Sequence, residues 1–228
     1  MRLPKALFAA LTAGCLAACA VGGSAPGGRP VVVQPAPVHI GNVLKLRTSF
    51  GPSFKVMTVG PAGIDPKLLA PQSLPDGVTV QPAECAQYTG QTLPSGLKGN
   101  MATVLAEGDG NRFIVIALET SEAVPFDQAA ADKCRRVAVS GPSLRGAVDV
   151  VDAPHIDGVQ TTGSRRVLQA AISGAVGAGE LFTYTAYLGR YQVIVTADPL
   201  VAPNQPVAPV NIQRAQQLLT DAVAAVRS

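Results

Sequence analysis

The first nineteen residues set the conditions under which the rest of this chain must fold. Arg2 and Lys5 precede Ala6 to Ala18, a stretch that is apolar or small apart from Thr12. A charged start, an apolar middle and a small-residue end follow the order of a secretory signal. The stretch is too short for a bilayer span, which takes about 20 apolar residues. An exported chain folds where thiols oxidise, so its cysteines are candidates for a covalent staple rather than for cytosolic metal or redox chemistry.

The leader ends in Leu16-Ala17-Ala18-Cys19, which resembles the lipobox of bacterial lipoproteins: a leucine, two small residues and the cysteine that is acylated before cleavage in front of it. Cys19 is therefore the expected lipidation site, residues 1–18 the signal peptide and the extracytoplasmic side of the cell membrane the expected location. Thr12-Ala13-Gly14-Cys15 competes less well, because threonine replaces the leucine and the preceding apolar run is shorter. A plain secretory signal that leaves Cys19 free and a retained anchor helix are the alternatives. Residues 19–39 continue through Gly22-Gly23-Ser24-Ala25-Pro26-Gly27-Gly28-Arg29-Pro30 into a valine and proline stretch. That composition reads as a flexible, then extended, tether. Its glycines lack the strand before and the helix after that a dinucleotide loop requires.

Without Arg2 and Lys5, the 18 basic and 15 acidic side chains become 16 and 15, a net charge near +1 with no basic run. This excludes a nucleic-acid footprint, which needs clustered cations. Cys85 and Cys134 are then the two cysteines of the exported part, and they have one intramolecular pairing. A disulfide is the expectation and two buried free thiols the alternative.

Residues 40–228 read as a single α+β domain, an antiparallel sheet with helices packed on one face. Phe126, Ala130, Cys134 and Val137 recur at helical spacing with Asp127 early and Arg135 and Arg136 late, so Phe126 to Val139 is an expected helix, stopped by Ser140-Gly141-Pro142. Its inward-facing Cys134 points toward a helical turn at Pro82-Ala83-Glu84-Cys85-Ala86. A final helix carries Ile212, Ala215, Leu219, Ala222 and Val226, with Asn211 as its cap. Ala102 to Glu107 and Arg112 to Glu119 flank Gly108-Asp109-Gly110-Asn111, and Leu181 to Leu188 and Tyr191 to Ala197 flank Gly189-Arg190; both read as β-hairpins. Leu144 to Val151 and Val159 to Ala170 read as two more strands, and Gly174 to Gly179 as a turn or loop. Arg112-Phe113-Ile114-Val115-Ile116 aligns with Arg190-Tyr191-Gln192-Val193-Ile194, which suggests a duplicated strand-strand-helix unit 78 residues apart.

The lipobox, the tether, Leu74-Pro75-Asp76-Gly77, Pro82-Ala83-Glu84-Cys85, the first hairpin, the segment bearing Cys134 and Ala153-Pro154-His155-Ile156-Asp157-Gly158 together resemble an uncharacterised family of mycobacterial and wider actinobacterial cell-envelope lipoproteins. That family is related to the PknH-type extracellular kinase sensor domain, and the resemblance spans roughly residues 40–228. It implies an antiparallel sheet with helices beside a cleft that serves ligand binding. The sensor domain carries two disulfides and this chain can form one. A lipoprotein type with a PsbP-like sandwich accounts for the same pattern almost as well.

Chemistry has little material here. His155 is the only histidine beyond the tether, and Asp152 and Asp157 flank it, but neighbours on an extended loop point different ways and no Gly-x-Ser-x-Gly elbow or zinc-ligand spacing accompanies it. It reads as a loop histidine with ligand contact as its functional option; no catalytic residue, metal site or cofactor is expected. Glu107, Asp109, Glu119 and Glu122 read as solvated hairpin and loop positions. Tyr184, Tyr187 and Tyr191 gather on the second hairpin, and those that face outward are the candidate ligand contacts, with part of the cluster in the core. The expected protein is thus a lipid-anchored, non-enzymatic, sensor-like module. It touches the membrane through its anchor and binds an unidentified envelope ligand or protein, but no nucleic acid. A hydrolase of envelope material centred on His155 and a lipid carrier with a hollow core are the alternatives.

Overall fold

Among the described residues, nine antiparallel strands form one sheet in the order β1-β3-β4-β9-β8-β7-β6-β5-β2. In chain order they are β1 (Lys55–Gly63), β2 (Thr79–Gln81), β3 (Gly99–Gly108), β4 (Asn111–Thr120), β5 (Arg136–Gly141), β6 (Leu144–Val151), β7 (Gln160–Ile172), β8 (Ala175–Leu188) and β9 (Tyr191–Pro199). With them, among the described residues, are helices α1 (Gln128–Lys133) and α2 (Ile212–Val226) and the 3-10 helices Ile40–Ser49 and Ala83–Tyr88. This computed structural model describes residues 37–65, 69, 74, 76–89, 98–124, 126–142, 144–172, 175–201 and 206–228. Cys15, Cys19 and most of the tether lie outside them. Among the described residues no helix is long and apolar enough to cross a membrane.

Both hairpins form as their turns dictate. Asp109 and Gly110 take φ of 48° and 74°, the left-handed values that a two-residue turn requires, and Gly108 faces Asn111. Gly189, at φ 68°, closes β8 onto β9 with Leu188 facing Tyr191. The hairpins then pair with each other through β4 and β9, Ile116 opposite Ile194, which places both strands in the interior of the sheet with β8 at its middle.

Strand alternation gives the sheet two faces. One carries Ala102, Val104, Phe113, Val115, Phe182, Tyr184, Val193 and Val195, all buried beneath the first 3-10 helix and α2. That 3-10 helix buries Ile40, Val43 and Leu46, spaced every third residue to match its three-residue turn. Helix α2 buries Ala215, Leu218, Leu219, Ala222, Val223 and Val226, and the Asn211 side chain caps it by accepting from the Arg214 N–H. The two ends of the domain meet here. The His39 N–H donates to the Val226 carbonyl at 2.8 Å, and Asn42 Nδ2 donates to the Ser228 carbonyl at 2.8 Å.

The other face carries Met101, Ile114, Ile116, Leu118 and Ile194, with Leu69 packed on them, and toward β5 it carries Val137 beside the disulfide. Cys85 and Cys134 are bonded, 5.5 Å between Cα atoms, tying the second 3-10 helix to the residue just past α1. Helical elements therefore flank both faces rather than the expected one, and the domain is mostly β.

Two further expectations are corrected. The helix read over Phe126 to Val139 is α1 alone, six residues long; Arg136 onward is β5, paired on one side with β6 and on the other with β2. Val137 and Val139 alternate inward while Arg136, Ala138 and Ser140 face solvent, so the period of two overrides the helical spacing of Cys134 and Val137. Arg136 pairs with Asp149 across the strands at 3.6 Å instead of closing a helix. Of the Gly174 to Gly179 stretch, read as a turn or loop, Gly174 lies outside the described residues and the remainder is strand, because β8 begins at Ala175 and pairs with β7 from Ala175 to Tyr187.

Candidate functional site

The residues singled out from sequence do not converge. His155 stands in the loop between β6 and β7 with its side chain 90% exposed, and its Nε2 lies 3.2 Å from Oδ1 of Asp157, itself 102% exposed. A base and carboxylate that project into water are not shielded in the way acid–base catalysis exploits. Among the described residues no group of three histidines, cysteines or carboxylates is placed to hold a metal. The Tyr184 ring is 1% exposed beneath α2, so it belongs to the core and is no surface contact. Burial raises its phenol pKa above the ordinary 10.0, partly offset by a hydrogen bond with Gln216, whose Nε2 donates to the Asp152 carbonyl at 3.0 Å. Tyr187 projects to the opposite face and packs on Phe126, centroids 4.9 Å apart. Tyr191 lies beside Arg190, whose guanidinium sits 5.4 Å over its ring and pairs with Glu119. Tyr187 and Tyr191 thus occupy opposite faces of one hairpin and make no common surface.

The cleft lies at the other end of β4. An open pocket of about 250 Å³ is lined by Ser49, Phe50, Gly51, Phe54, Asp109, Asn111, Phe113, Asn211 and Arg214. Three segments distant in sequence build it: the end of the first 3-10 helix with the approach to β1, the turn of the first hairpin, and the cap of α2. Its floor is aromatic. Phe50, Phe54 and Phe113 contact one another with tilted rings, centroids 5.3 to 6.3 Å apart. Its rim is polar and fixed by local hydrogen bonds. Buried Asn111 donates from Nδ2 to the Asp109 and Pro209 carbonyls and accepts the Asn211 N–H at Oδ1, 2.9 Å away. Arg214 donates to the Ser49 carbonyl at 2.8 Å and lies 5.1 Å over the Phe50 ring. Gly110 completes the closure: a Cβ there would meet the Ala208 side chain at 2.6 Å, so only glycine lets the turn approach this segment. What the arrangement offers is an apolar floor beside amide, carboxylate and guanidinium groups, the composition of a binding pocket. Sequence reasoning missed it because its lining is assembled from positions about 160 residues apart, and the clearest local signal was the phenylalanine pair Phe50 and Phe54.

On the opposite face a row of charged side chains crosses four strands. Lys55 faces Glu107, Glu107 faces Arg112 and Arg112 faces Asp198. Arg112 grips Asp198 through two hydrogen bonds of 2.7 and 3.2 Å. Desolvation nevertheless raises the Asp198 pKa above its ordinary 3.8, Arg112 acting against it and Glu107 with it.

The chain is thus a mostly β domain, one antiparallel sheet with helical elements on both faces and a pocket at one end of β4, and residues 39–227 match a family described as a domain of unknown function, DUF5642. The chain belongs to that family. It is similar to an uncharacterised protein of Mycobacterium smegmatis, described as the Rv0999 ortholog, at 53% identity and a TM-score of 0.76, covering 84% of this chain and 98% of that one. It is also similar to the extracellular domain of PknH from Mycobacterium tuberculosis at 18% identity and a TM-score of 0.42, covering 83% and 92%. No curated protein matches it significantly in sequence.

Proposed function

We propose that this protein is a non-enzymatic binding module, held on the extracytoplasmic side of the cell membrane by acylated Cys19 and tethered through residues 19–39. The observation that carries the binding half is the pocket over Phe50, Phe54 and Phe113, whose rim of Asn111, Asn211 and Arg214 is fixed by hydrogen bonds before any ligand arrives. Groups fixed in advance lose little entropy on binding. The Cys85–Cys134 bond supports the oxidising location, and the leader supports the anchor. The helix-covered face is filled by Val43, Leu46, Leu218 and Leu219 against the sheet, which favours a surface-binding domain over a carrier with a hollow interior.

The test uses the lipidated protein in intact envelope: cross-linking capture, paired with a thermal-shift screen of envelope glycans and lipids on the purified chain. A stabilising ligand whose effect is lost in Arg214→Ala supports the pocket. Cys19→Ala is expected to abolish fatty-acid labelling, with Cys15→Ala leaving it intact. Multiple turnover of any such compound, abolished by His155→Ala at unchanged melting temperature, refutes the binding reading and promotes a hydrolase.

A further inference from the structure

The two edges of the sheet are treated differently. Strand β2 is three residues long and lies beside the disulfide-bonded 3-10 helix, so it presents little free backbone. Strand β1 is nine residues long, and its partner on one side is β3 while, among the described residues, no strand pairs with its other side. Natural edges are usually blunted by charge, proline or a bulge. Here those devices stand only at the ends: Lys55 opens the strand, and Gly60 and Pro61 sit in the irregularity between Val59 and Ala62. Between them the side chains on one face are Met57, 47% exposed, and Val59, 43% exposed, where a protected edge would carry charge.

We propose that the outer edge of β1, from Lys55 to Val59, receives an extended peptide strand of a protein partner, with a carboxylate opposite Lys55 and apolar side chains opposite Met57 and Val59. The proposal rests on the reading of the domain as a binding module and names its partner class. Charge selects the occupant. The row Lys55, Glu107, Arg112, Asp198 alternates in sign strand by strand and ends at the open edge on an exposed cation. Among the described residues Lys55 makes no ion pair, so an added strand continues the alternation only by bringing an acid. The same strand extends the apolar row by covering Met57 and Val59, while its main chain takes up the free edge groups. Other occupants match less well. Residues 19–36 of this chain contain no aspartate or glutamate. A second copy paired antiparallel about Met57 sets Lys55 against Val59.

The experiment measures fluorescence anisotropy of a labelled, end-blocked peptide Ser-Val-Thr-Val-Thr-Glu, whose antiparallel register puts valines opposite Val59 and Met57 and glutamate opposite Lys55. Its comparator carries lysine in place of glutamate, and the protein is the full chain purified from the envelope. The glutamate peptide is expected to bind about threefold more tightly, the scale of one exposed ion pair. Lys55→Glu, at an exposed position, is expected to reverse the preference, and Met57→Lys to weaken both peptides about fivefold. Equal binding of the two peptides, absence of saturable binding, or a preference unchanged in Lys55→Glu overturns the proposal. So does self-association in sedimentation that Met57→Lys abolishes, which assigns the edge to a second copy. Peptide binding that survives Arg214→Ala separates the edge from the pocket. Failure of the peptide alongside a pocket ligand leaves the binding-module reading standing.

Discussion

Replacing both Cys85 and Cys134 by alanine tests how the β2 edge is held. The bond closes a loop of 49 residues, and in the chain-entropy treatment its loss costs about 4 kcal/mol through the greater freedom of the unfolded chain. What remains to hold this corner is small. Strand β2 contributes three register pairs to β5, with the Thr79 hydroxyl donating to the Ser140 carbonyl at 2.9 Å, and among the described residues the cluster around the sulfurs holds Val137 and partly buried Val80. Urea unfolding followed by circular dichroism measures the loss; at a slope of about 2 kcal/mol per molar, the midpoint is expected to fall by about 2 M. Amide exchange supplies the spatial half, with Thr79 to Gln81 losing protection first while Ile116 and Ile194 in the interior strands β4 and β9 keep theirs. A midpoint shift under about 0.5 M refutes the loop-entropy argument, which takes the unfolded chain as free of structure. Alkylatable thiols at both positions in protein purified without reductant refute the staple itself.

Asn111→Ala is expected to cost about 2 kcal/mol, because it strands the Asn211 N–H and the Pro209 carbonyl, whereas Asn211→Ala removes a helix cap for about 1 kcal/mol; chemical denaturation of the two singles and the double checks that the losses are not additive. Burial raises the Tyr184 pKa in the folded state, so its contribution is fully present below the unfolded value of 10.0 and is lost as pH rises above it; denaturation midpoints of wild type should fall across this alkaline window more steeply than those of Tyr184→Phe, and parallel curves would contradict the assignment.

Local chemistry explains which parts of this fold were legible in the sequence. Asp109-Gly110 and Gly189 fix their hairpins through backbone conformations few other residues adopt, and the stripe from Ala215 to Val226 behind Asn211 marks a helix without tertiary help. The pairing of Cys85 with Cys134 followed from their being the two cysteines beyond the expected leader. Residues 136–139 were misread because Cys134 and Val137 satisfy a helical period while Val137 and Val139 satisfy a strand period. The choice was made by β2 and β6, one of them more than fifty residues earlier in the chain. The first 3-10 helix escaped notice because its apolar residues repeat every three rather than 3.6 positions. Tyr184 illustrates the limit for sites. Alternation places it on the face of Phe182, but only the docking of α2 makes that face interior.

The fastening of His39 to Val226 and of Asn42 to Ser228 means that the first and last segments of the described domain lie side by side. The order in which the polypeptide visits its strands is therefore separable from the architecture those strands build. A circular permutant that links residue 228 to residue 37 through a few glycines, and opens between Gly189 and Arg190, keeps every strand neighbour and moves only a two-residue connection. Rewired in this way, the domain would carry its new termini beside Tyr191, at the end of β4 remote from the pocket, and would keep the pocket intact while facing the opposite way relative to whatever is joined to its termini.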